Sequence, residues 1–119
     1  MISFLQFIEN KNQPISSDDV LEMVRRYHHT PEDLDSGDLY NRIKKYDFYR
    51  SEEVPSDKID AEIWNSDPDM VEEIEELIKS KPNYPPIVLD EDFVIIDGTH
   101  RAKALKNLGH SFIKAYVPA

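Results

Sequence analysis

The chain has 119 residues, and 24 Asp and Glu against 14 Lys and Arg leave a formal net charge of −10. Phosphate neutralisation supplies most of the affinity for nucleic acid, so this balance argues against a duplex-DNA partner. There is no cysteine, which excludes thiol catalysis, disulfides and thiolate metal sites; no apolar run is long enough to span a membrane.

The opening segment MISFLQFIENK lacks a basic leader region and a cleavage site, so a cytoplasmic location is expected. Ser3 is placed to cap a first helix, with Gln6 as box partner and Phe4, Phe7 and Ile8 on one face. That stripe suits core packing or the docking of a protein partner. Residues 10–14 break the pattern. Ser16 or Ser17, followed by Asp18 and Asp19, restarts a helix with Val20, Val24 and Tyr27 inward. His28 and His29 end it. Adjacent histidines point to different faces, so they suit a helix C-terminus rather than a metal. Thr30-Pro31-Glu32-Asp33 opens a short turn that Ser36-Gly37 interrupts. Residues 38–46 read as helix again, with Leu39, Ile43 and Tyr46 on one face. Residues 1–46 therefore form a helical N-terminal extension, joined to residues 47–119 in one compact unit.

From residue 47 the pattern changes. Phe48, Tyr49 and Val54 mark an extended segment that Pro55 closes. Ser66-Asp67-Pro68-Asp69 starts a helix, with Met70, Val71, Ile74, Leu77 and Ile78 inward. Glu72, Glu73, Glu75 and Glu76 form its solvated face, not a metal site. After the loop KSKPNYPP, Ile87-Val88-Leu89 is a strand and Asp90-Glu91-Asp92 a turn. Residues 93–96 form the returning strand of this hairpin. Thr99 then opens a helix with Ala104, Leu105 and Leu108 inward and Gly109 as its stop. Residues 112–117 give a final strand. The order strand, helix, hairpin, helix, strand is an α+β arrangement.

The stretch FVIIDGTHRAKALKNLG carries the chemistry. It places one glycine between a strand and a helix whose first N–H groups lack partners and whose dipole makes that end partly positive. Gly98 lets an anion approach the backbone, His100, Arg101 and Lys103 add donors, and Asp97 adds a carboxylate. These residues suggest a phosphate site. The plainer alternatives are a capping role for Asp97, a surface ion pair for Arg101 and a structural donor in His100. His110 reads as a turn residue.

In order, Val54-Pro55, residues 74–80, 85–88, 97–101 and 104–109 resemble the ParB/sulfiredoxin-like superfamily over a little over half the chain. That family opens with V-P-x-x-K-I and continues through P-P-I-V to a glycine-basic motif and a helix ending A-L-x-x-L-G. The resemblance implies an α+β fold with a small mixed sheet and helices, here preceded by the helical extension. Gly98-Thr99-His100-Arg101 is similar to the G-C-H-R of sulfiredoxins, but Thr99 replaces the cysteine and that chemistry is not expected. Against the G-E-R-R-x-R-A of ParB partition proteins, Gly98, Arg101 and Ala104 fit and Lys103 fits in part. Thr99 and His100 depart, and the chain stops before a helix-turn-helix domain could follow, so chromosome partitioning is not expected.

Asp97-Gly98-Thr99-His100-Arg101 resembles most closely the motif of the free serine kinases. Glu62 stands where their upstream glutamate would lie. That resemblance implies catalytic roles for Asp97, as base toward an alcohol, and for Glu62. It implies that Gly98, Thr99, His100, Arg101 and Lys103 hold the phosphates of ATP or another nucleotide, with Mg, beside a small hydroxyl acceptor. No structural metal is expected. Two rival readings are a non-catalytic module that docks a protein through its N-terminal helices and a ParB-like nuclease, which the acidity disfavours.

Overall fold

The computed structural model describes residues 14–27, 38–59, 68–81 and 84–119. Phe4, Phe7, Ile8, His28, His29, the Thr30-Pro31 turn and Glu62 lie outside them. The elements in chain order are β1 (Ile15–Ser16), α1 (Ser17–Tyr27), α2 (Asp38–Lys44), β2 (Phe48–Pro55), a 3₁₀ turn (Ser56–Lys58), α3 (Pro68–Ser80), β3 (Ile87–Leu89), β4 (Ile95–Asp97), α4 (Thr99–Asn107) and β5 (Phe112–Pro118). The strands form one mixed sheet in the order β1-β2-β5-β3-β4. Among the described residues only β3 and β5 run parallel, with Ile87 opposite Ala115. A parallel pair needs a crossover, and α4 lies within it.

Each strand supplies both faces of the sheet, because successive side chains alternate. Ile87, Leu89, Ile113, Ala115 and Val117 pack with Val71 and Ile78 of α3 and with Ala102, Ala104 and Leu105 of α4. Val88 and Tyr116 point the other way, into a second cluster with Tyr49, Ile43 and the α1 residues Val20, Leu21, Met23 and Val24. The sheet thus sits between two helical layers. The N-terminal helices are tied to it by polar contacts as well. Tyr49 donates its hydroxyl to the Ile43 carbonyl at 2.8 Å, and Arg42 donates to the Ile95 carbonyl at 3.3 Å. Among the described residues no helix is long and apolar enough to cross a membrane.

Several local expectations hold in detail. Ser16 accepts from the Asp19 N–H at 3.2 Å, capping α1. Gly109 adopts φ +86°. Its N–H reaches the Lys106 carbonyl while that of His110 reaches Leu105, the paired closure of a Schellman stop.

Four expectations need correction. The first 46 residues are not all helical, since Ile15 and Ser16 pair antiparallel with Tyr49 and Phe48. The helix read over 38–46 stops at Lys44. The returning strand begins at Ile95, not Phe93. Asp90 Oδ1 accepts from the N–H groups of Asp92 and Val94, which prolongs the turn and puts Phe93 at φ +62°. Finally, α3 buries only the inner half of its apolar stripe. Val71 and Ile78 are in the core, whereas Met70 is 46% and Leu77 59% exposed.

Candidate functional site at the β4–α4 junction

Strand β4 ends on Asp97, which pairs with Val88 and is buried. Gly98 follows with φ +101°, a left-handed conformation that costs a glycine nothing. It also packs tightly: a Cβ there would meet Ile87 Cγ2 at 2.6 Å. Gly98 is thus required by both backbone and packing. Its carbonyl accepts from the Ala102 N–H at 2.8 Å, so α4 begins as soon as the turn is complete. No side chain of Gly98 can cap the helix.

The first turn of α4 brings Thr99, His100 and Arg101 together with Asp97, and Lys103 follows on the next turn. Thr99, His100 and Lys103 are partly exposed. Arg101 is turned inward. Its Nη2 donates to the Pro86 carbonyl at 3.0 Å and lies 3.6 Å from Asp97 Oδ2. The Arg101 and Asp97 side chains are only 14% and 7% exposed. The 3.6 Å separation is an ion pair rather than a hydrogen bond.

The loop before β3 contributes residues that pattern-reading passed over. Tyr84 is buried, and burial pushes its hydroxyl pKa up, while an N–H from the Lys114 backbone and the charge of Arg101 pull it back. Lys114 lies 4.8 Å from the Tyr84 ring centroid. Burial lowers its pKa, opposed by Glu53, which it faces across the β2–β5 ladder. His110 meets the Tyr84 ring edge-on at 6.1 Å, so it is a packing partner as well as a turn residue. Proline and tyrosine in KSKPNYPP gave only a loop signal. The signal that could have found them is the two prolines fixing an extended entry to β3.

The sequence matches the ParB N-terminal domain over residues 41–119. The chain belongs to that family. Two solved structures are similar to it. The C2221 form of a Pnob8-like ParB-N domain has 28% identity and a TM-score of 0.48, over 58% of this chain and 29% of that one. A pNOB8-like ParB N-domain has 26% identity and a TM-score of 0.46, over 60% of this chain and 28% of that one. The matched region is therefore less than a third of each of those chains. No curated protein matches the chain. The family assignment agrees with the α+β fold and with the β3–β4–α4 order on which the resemblance was founded.

Proposed function

We propose that this ParB-like domain binds a nucleotide through its phosphates at the N-terminus of α4 and that it transfers a phosphoryl group to a small hydroxyl acceptor. The observation that carries this reading is the junction itself. A left-handed Gly98, which has no side chain to cap with, opens a nine-residue helix, with partly exposed Thr99, His100 and Lys103 around it and a carboxylate, Asp97, directly before it. The N–H groups of a helix's first turn and the positive end of its dipole suit phosphate oxygens. Phosphoryl transfer asks little of a protein beyond positioning, charge neutralisation and a base for the nucleophile. In this reading Gly98, Thr99, His100 and Lys103 meet the phosphates, ATP is the first candidate with Mg alongside, and Asp97 takes the acceptor's proton. The likeness of Asp97-Gly98-Thr99-His100-Arg101 to the free serine kinase motif supports a phosphate site here, with Glu62 as the second catalytic carboxylate and Arg101 as a further phosphate ligand in that motif. Amide chemical-shift mapping with ATP and magnesium tests it: shifts concentrated at residues 97–103 are expected, and shifts elsewhere or none would refute it.

The exposed Met70 and Leu77 favour a second reading, a non-catalytic interaction module. On that reading no nucleotide binds and changes at Asp97 or His100 leave function untouched.

A further inference from the structure

We infer that Arg101 is a positioning residue for Asp97 and not a ligand of the phosphates; this rests on the nucleotide-binding reading above. The sequence motif puts the Arg101 guanidinium on the phosphates, but the geometry uses it elsewhere. One nitrogen, Nη2, is shared between the Pro86 carbonyl at 3.0 Å and Asp97 Oδ2 at 3.6 Å. The same nitrogen is 3.0 Å from where a Gly98 Cβ would stand. The guanidinium therefore lies packed against the Gly98 turn, joining the entry of β3 to the end of β4 and the start of α4.

Two consequences follow from its burial. Swinging Arg101 outward to a phosphate would break its bond to the Pro86 carbonyl and draw its charge away from the enclosed Asp97 carboxylate, which is costly for a buried ion pair. The pairing also offsets the negative charge of Asp97 beside the anion site, which lets a phosphate approach. Arg101 fixes where Asp97 points and keeps the junction electrically tolerable. His100 and Lys103, partly exposed on the same helix, carry the direct contacts.

The test is a double-mutant cycle in thermal stability combined with nucleotide titration. Arg101→Gln removes the charge, and it should lower the melting temperature by at least ~5 °C, because the Asp97 carboxylate loses its cation. Asp97→Asn/Arg101→Gln should recover at least half of that loss, since no buried charge is then left. Additive effects of the two changes would overturn the pairing without reference to any ligand. In the titration arm, His100→Ala should weaken ATP binding by about tenfold or more, and Arg101→Gln by less than about threefold. A loss of about tenfold or more in Arg101→Gln, with a melting temperature equal to that of the parent, would make Arg101 a phosphate ligand and refute the inference. If the parent chain binds no nucleotide, the proposed function falls and the stability cycle alone decides the role of Arg101. Should the single variant fail to fold, recovery in the double variant still supports the pairing, and a failure there too refutes it.

Discussion

Gly98 and Ile87 are fitted so closely that the glycine cannot carry a side chain: its Cβ would come to 2.6 Å of Ile87 Cγ2, and Ile87 is fully buried. The contact joins the start of β3 to the turn that launches α4, so the placement of the candidate site depends on it. Gly98→Ala combines a left-handed backbone penalty with overpacking and should cost about 2–4 kcal/mol. Gly109 offers the internal control. It is also left-handed, at φ +86°, but nothing lies within 4 Å of its would-be Cβ. Gly109→Ala should therefore cost only about 1 kcal/mol. Urea unfolding of both variants separates the packing term from the backbone term, and equal losses would contradict it.

The link between the N-terminal helices and the sheet has one polar anchor that can be removed cleanly. Tyr49→Phe deletes the hydroxyl that donates to the Ile43 carbonyl and should destabilise the fold by about 1 kcal/mol, because that carbonyl then keeps the longer bond from the Tyr46 N–H at 3.4 Å. Two residues along the same strand, Ser51 behaves in the opposite way. Its hydroxyl is buried without a hydrogen-bond partner among the described residues. Ser51→Ala should therefore be neutral or slightly stabilising. Denaturant midpoints of the two variants give the comparison.

Alkaline pH should weaken the fold. Burial raises the pKa values of Tyr49 and Tyr116 above the ordinary 10.0, so both stay protonated when folded and ionise when unfolded. A raised folded pKa gives stability that is complete below the unfolded value and is lost as pH climbs toward the folded one. Stability should thus fall progressively above pH 10.0, the point at which the unfolded tyrosines ionise. Lys44, raised chiefly by its hydrogen bond to Asp18, works in the same direction at the surface. Lys114, depressed by burial, works in the opposite one, gaining stability as pH rises toward 10.5. Replacing Tyr49 and Tyr116 together by Phe should flatten the decline. An unchanged slope in urea midpoints across that range would show that these two hydroxyls are not its source.

Much of this architecture was legible because it is local. Pro55, Pro68, Asp97-Gly98 and Gly109 each act through their own backbone, so β2, α3, the β4–α4 turn and the end of α4 fall where the residues demand. The failures are long-range or tied to side-chain direction. Pairing of Ile15 with Tyr49 spans too much chain for any local pattern to show. The turn at Phe93 is lengthened by one carboxylate, Asp90, whose two hydrogen bonds override an apolar run that reads as strand. The α3 stripe is wider than the surface available to cover it, which leaves Met70 and Leu77 outside. At the site, sequence located Asp97, Gly98, His100 and Arg101 together. It could not show that Arg101 turns inward, because its partner Pro86 lies 15 residues away in a loop with no periodic signal.

Binding of a nucleotide's phosphates at the opening of α4 is read out by calorimetric titration. ATP, ADP and CTP are titrated with and without magnesium into the parent chain, into His100→Ala and into Asp97→Asn. Saturable binding of at least one nucleotide by the parent is expected, with a loss of about tenfold or more in His100→Ala, from removal of a phosphate donor. Asp97→Asn should bind nearly as well as the parent and lose any phosphotransfer instead, since a base acts on the chemical step. Absence of heat with all three nucleotides at millimolar concentration, or equal affinity in the parent and in His100→Ala, would contradict phosphate binding there.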